Sequence, residues 1–173
     1  MAETRQAVIE KLRQKARSIA ARMPQPDFYR DFPEEVHFSG QCFQTDAVAG
    51  RLHTDVSRMI ENDFGHGMIH ARKVALDAGA LMVIEGRKAA FSRTVLRTAV
   101  RMAHCAGLLH DIERKSENHA RKGALRAGEC LSSYPFTNTE VREICTAIAN
   151  HEAFSTPADM VTIKGKLLSD CLY

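Results

Sequence analysis

Residues Ala106-Gly107-Leu108-Leu109-His110-Asp111 end an apolar run in two adjacent residues that both bind metals. Successive helical residues point about 100° apart, so adjacent ligands cannot share one helical face. They reach a common ion only where the helix ends and its last turn tightens or opens. A His-Asp pair alone is weak evidence, so the question is whether other ligand-type residues end apolar faces elsewhere in the chain.

They do. Leu96, Val100, Ala103 and Gly107 recur at helical spacing, and the next position in that series is His110. His119 leads Gly123, Ala127 and Leu131, His151 ends Val141, Ile144 and Ile148, and His70 precedes Val74, Ala78 and Leu81. Asp170 follows Ile163 and Leu167. Inward-facing groups near helix ends converge, which is how helix bundles build metal sites. A single histidine on an apolar face is more often bonded to a carbonyl than to a metal. A buried aspartate left unpaired is unfavourable, however, and coordination explains the whole set at once. His37 and His53 fall outside these series and read as surface or boundary residues. His104, beside Arg97 and Arg101 on a mixed face, reads as structural. His66, just before His70, reads as a substrate contact or a support for a ligand, with a structural role equally open.

Composition bounds the rest. The 173 residues, 45% hydrophobic and 26% charged with ten Gly and five Pro, describe one domain able to bury a core. No apolar run approaches the roughly 18 residues of a membrane span, and Met1-Ala2-Glu3-Thr4-Arg5 lacks a signal-peptide pattern. Cys42, Cys105, Cys130, Cys145 and Cys171 are scattered and never spaced as Cys-x-x-Cys. They read as reduced thiols of a cytoplasmic protein. A net charge of +3 with interspersed signs does not imply a nucleic acid partner.

The pattern along the chain predicts an all-α helical bundle of six to seven helices in a single domain. An amphipathic helix spans about Thr4 to Met23. Pro24, Pro26 and Pro33 predict an irregular connection over 24–42, with Glu35 to Phe38 as an alternative edge strand. Helices follow from Thr45 to Asn62 and, after Gly65-His66-Gly67, from Met68 to Glu85. Ser92 caps a helix that runs to His110, and Ser116 one that runs to Ser132. Thr137 with Glu140 makes a capping box for a helix ending near His151. A last helix starts near Thr162. Residues 1–58 read as N-terminal helices and a connection packed on a core of residues 59–173.

These residues resemble the HD-domain superfamily of metal-dependent phosphohydrolases over roughly residues 59–173. His70-Ala71-Arg72-Lys73-Val74 is similar to the family's early histidine element, with Lys73 where the family usually has Arg. Ala106 to Ile112 resembles its His-Asp signature. Asn118 to Ala124 and Ile148 to Glu152 resemble the segments that supply further histidines in binuclear members. Gly165 to Asp170 resembles the last element, without the frequent Asp-Ala-Asp run, and the chain ends three residues later where many members continue.

The resemblance implies one ion on His70, His110, Asp111 and Asp170, and a second on His119 and His151 with Asp111 bridging. Such donors suit Mn, Fe, Co, Ni or Zn. It further implies a hydrolase that cleaves a phosphate ester of a nucleotide or similar small metabolite through a metal-activated hydroxide, with Asp111 and His110 catalytic. Lys73, Arg114, Lys115, Arg121, Lys122 and His66 would meet the anionic substrate; Glu113 or Glu152, beside the ligands, could assist proton transfer. Two alternatives accompany this reading, a di-iron oxygenase and a non-catalytic metal-containing regulatory module. The N-terminal helices would suit a homodimer interface.

Overall fold

The computed structural model describes residues 5–60, 67–152 and 162–172. Among them all regular structure is helical, as the sequence predicts: α1 Arg5–Ala20, α2 Asp27–Asp31, α3 Pro33–Thr45, α4 Ala47–Ser57, α5 Met68–Lys88, α6 Arg93–Leu109, α7 His119–Leu131, α8 Asn138–Ala149 and α9 Ile163–Leu172. No described helix is long and apolar enough to cross a membrane. The chain forms two compact units, Met1–Pro33 and Glu34–Tyr173. The first holds α1 and α2; the second holds the remaining helices.

Two helices replace the irregular connection expected over 24–42. Pro33 opens α3 instead of breaking structure, because the first helical position needs no backbone donor and its fixed φ suits the helix. Glu34 and Glu35 then place negative charge in the first turn, where the helix dipole favours it. Residues 35–38, weighed as an edge strand, lie inside this helix. Glu35 also pairs with Arg87, tying α3 to α5.

The second unit is built around α6. Every residue from Met102 to Asp111 is buried, the pattern of a helix enclosed on all sides. Helices α4, α5, α7, α8 and α9 all pack on it. Ser92 caps it as expected, its hydroxyl accepting from Val95 N–H at 3.3 Å. Thr137 and Glu140 form the capping box of α8, with Thr137 N–H donating to Glu140 at 2.9 Å. The start of α7 differs: its N-cap is Asn118, not Ser116, held at a φ of 56°. Asparagine tolerates that left-handed conformation better than most residues.

Helices α5 and α6 cross through small residues. Ala71, Ala75 and Ala78 of α5 and Ala99, Ala103 and Ala106 of α6 are all buried. At Gly107 the backbones nearly touch: a β-carbon there would stand 2.5 Å from the Ala75 Cα and 2.6 Å from its nitrogen. This crossing brings the first turn of α5, with His70, against the last turn of α6, with His110.

A candidate metal centre around Asp111

Helix α6 ends at Leu109, and the chain continues in tight turns. Ile112 N–H donates to Leu109 O and Arg114 N–H to Asp111 O, both at 3.1 Å. The change of pitch lets His110 and Asp111 aim at one place despite their adjacency. Both are 6% exposed, and His110 Nε2 lies 3.3 Å from Asp111 Oδ2.

Three other histidines converge on the same carboxylate. His70 Nε2 lies 3.8 Å from Asp111 Oδ2. His119 Nε2 and His151 Nε2 lie 3.7 and 3.9 Å from Oδ1. One oxygen of Asp111 thus faces His70 and His110, and the other faces His119 and His151. Two groups with the dimensions of a metal site result, His70–His110–Asp111 and Asp111–His119–His151. The rings run edge to face around the carboxylate, with centroids 5.2 Å apart for His70–His110, 5.3 Å for His110–His151 and 5.2 Å for His119–His151.

The opposite edges of three rings fix their protons. His110 Nδ1 lies 2.8 Å from Gly107 O, and His151 Nδ1 lies 2.6 Å from Ile148 O. His119 Nδ1 lies 2.8 Å from Glu152 Oε1. Carbonyl and carboxylate oxygens only accept, so each Nδ1 carries a hydrogen, and in the neutral ring each Nε2 presents a lone pair. Those lone pairs point at a carboxylate, acceptor toward acceptor, at separations beyond the 2.7–3.2 Å of an N–H···O bond. A cation between them resolves the repulsion. With metal–ligand bonds of about 2.0–2.2 Å, neighbouring donors sit roughly 3.0–3.5 Å apart; the 3.3 Å between His110 and Asp111 falls in that range, and the other three contacts, at 3.8, 3.7 and 3.9 Å, are longer. Anchoring of Nδ1 by carbonyl or carboxylate is also the usual arrangement behind a ligating histidine. Each of the two groups, which share Asp111, could hold a metal ion.

The electrostatics agree. Burial opposes ionisation of Asp111, while the Arg114 guanidinium beside it favours the carboxylate form that a metal ligand needs. Burial lowers the pKa of His151, favouring the neutral ring a metal requires.

Other expected site residues fall differently. Asp170 is exposed and stands in neither group. The inward stripe of α9 is Gly165, Leu168, Ser169, Cys171 and Leu172; Ile163, taken as marking that stripe, is 70% exposed. The turn that buries Ser169 against Asn150, whose Nδ2 donates to its hydroxyl at 3.1 Å, directs Asp170 outward. Arg114 reaches the site, its Nη1 3.4 Å from Asp111 Oδ1. Lys73 is exposed and pairs with Asp77 at 2.5 Å. Lys115 and Lys122 are exposed. Arg121 lines a shallow groove between α7 and α8 with Leu125, Arg142 and Cys145. His66 lies outside the described residues. Glu152, which the sequence places directly after His151, is the partner of His119 Nδ1.

Comparisons with protein-family models, with curated proteins and with solved structures find no match to this chain.

Proposed function

We propose that this protein is a binuclear metal-dependent phosphohydrolase of the HD type, acting in the cytoplasm on a phosphate ester of a nucleotide or similar small metabolite. The observation that carries the reading is the division of Asp111, one oxygen to each of two histidine pairs. His70 and His110 would hold one divalent ion and His119 and His151 the other, with Asp111 bridging. When bound, such ions lower the pKa of water to roughly 7 and offset charge on phosphoryl oxygens.

The chain's own residues do the positioning. Gly107 O, Ile148 O and Glu152 hold the Nδ1 protons of His110, His151 and His119, so each Nε2 lone pair is aimed before any ion arrives. Arg114, half-exposed beside Asp111, is the cation best placed to meet an anionic ester. With Asp170 exposed, each ion would be held by three protein donors, and positions would remain for water and a phosphoryl oxygen.

The test is phosphate release from a panel of nucleotides and sugar phosphates by metal-loaded protein. The reading expects release that disappears in His110→Ala and Asp111→Asn. Turnover that strictly consumes oxygen on bound iron would replace it with the oxygenase reading.

A further inference from the structure

Helix α1 buries none of its described side chains, although a helix of 16 residues gains most of its stability by packing an apolar face. That face exists. At about 100° per residue, Val8, Ile9, Leu12, Ala16 and Ile19 fall within about 100° of the circumference. Val8, Leu12 and Ile19 are 40%, 62% and 49% exposed. Helices α5, α6, α7 and α9 each expose one large apolar side chain, Ile69, Val95, Leu125 and Ile163, and single residues of that kind are ordinary. Three in line along one helix need a cover.

The charge around the stripe says what that cover is. Between Ala7 and Ala20, the cations Lys11, Arg13, Lys15 and Arg17 stand against one carboxylate, Glu10, which itself lies 3.7 Å from Arg13. Lys15 falls about 20° beyond one border of the stripe and Arg13 about 40° beyond the other. Long basic side chains at such borders lay their methylene stems along the apolar surface and reach outward with their charged heads. The matching surface is apolar under the stripe and anionic along both edges. A second copy of α1 would set cation against cation at those edges. Nucleic acid would meet the cations and leave the stripe in water. A protein groove takes large anchors in successive turns, and between Leu12 and Ile19 the stripe offers only Ala16. A lipid surface has no fixed pockets to fill.

We propose that α1 lies in the plane of an anionic lipid bilayer surface, with Val8, Leu12 and Ile19 at the boundary of the acyl chains and its cations at the lipid phosphates. This is attachment along the surface, since the helix is neither long nor apolar enough to span. It concerns α1 alone and does not depend on the reading of the metal centre.

The chain contains no tryptophan, so one placed on α1 is a unique reporter. Full-length protein carrying Leu12→Trp, on the stripe, or Gln14→Trp, on the opposite face, is titrated with vesicles of phosphatidylcholine, either alone or with a quarter phosphatidylglycerol. Co-sedimentation reads binding in parallel. With phosphatidylglycerol the Leu12→Trp emission should shift saturably to the blue and the Gln14→Trp emission should stay in place. Phosphatidylcholine alone should bind at least tenfold more weakly. Lys15→Gln with Arg17→Gln should weaken binding about 20- to 30-fold, at about fivefold for each cation near such a surface. Ile19→Gln should weaken it at least tenfold. All three positions are exposed and outside the core, so the fold should survive. No binding to phosphatidylglycerol vesicles, or equal shifts from the two tryptophans, would overturn the proposal. Binding unchanged by the α1 substitutions would also overturn it, by placing the lipid elsewhere on the protein.

Discussion

Gly107 and Ala75 touch backbone to backbone, with the space for a Gly107 β-carbon only 2.5 Å from the Ala75 Cα. The contact fixes how closely α5 and α6 cross, and so where His70 stands relative to His110. Because the clash is with backbone, no side-chain rotation relieves it. Gly107→Ala should force the helices apart and cost about 1–3 kcal/mol or more. The melting temperature should fall by several degrees, and the loss of metal should exceed what unfolding alone explains. Differential scanning calorimetry paired with elemental analysis checks both.

Asp111→Asn keeps the size of the side chain and removes its charge. If the carboxylate bridges two ions, the variant should lose both, with phosphate release falling more than about a hundredfold, beyond the loss typical of an outer partner. Metal content and single-turnover rates of the variant measure this.

Glu152 acts at one remove. It accepts from His119 Nδ1 at 2.8 Å, and loss of such a partner typically lowers metal affinity by about 10- to 100-fold. In Glu152→Gln the ion on the His119–His151 side should be the first released in a chelator titration. The ion on the His70–His110 side should be retained at wild-type chelator concentrations.

His104 gives a prediction for pH. Burial lowers its pKa from 6.5 to about 4 in the fold. The unfolded chain therefore takes up a proton at a pH where the folded chain does not. Its contribution is present above pH 6.5 and declines as the pH falls toward 4, by about 3 kcal/mol in total. Urea unfolding across that window should show the decline.

Much of this architecture could be read from the chain. The apolar stripe that ends in His110 and the one that His119 leads are buried as their spacing predicts, as are Ile144 and Ile148 before His151 while Val141 is half-buried, and Ser92, Thr137 and Glu140 cap the helices they were expected to cap. Local chemistry misled where a residue has two uses. Pro33 breaks helices in their interior but starts one here, and Asn118 begins α7 in a backbone conformation that periodicity does not reveal. Asp170 shows the limit of a stripe drawn from two residues: a short terminal helix allows more than one inward face, and packing against Asn150 and α5 decides which is used. The pairing of Glu152 with His119 depends on a contact between segments far apart in sequence, which no local pattern encodes.

The most direct measurement is the metal content of protein purified without added metal, taken alongside its His119→Gln and Asp111→Asn variants. Sharing of Asp111 predicts two ions per chain, falling to one in His119→Gln and to none in Asp111→Asn. A single ion per chain that persists unchanged in His119→Gln, or metal retained in Asp111→Asn, would contradict the bridged centre.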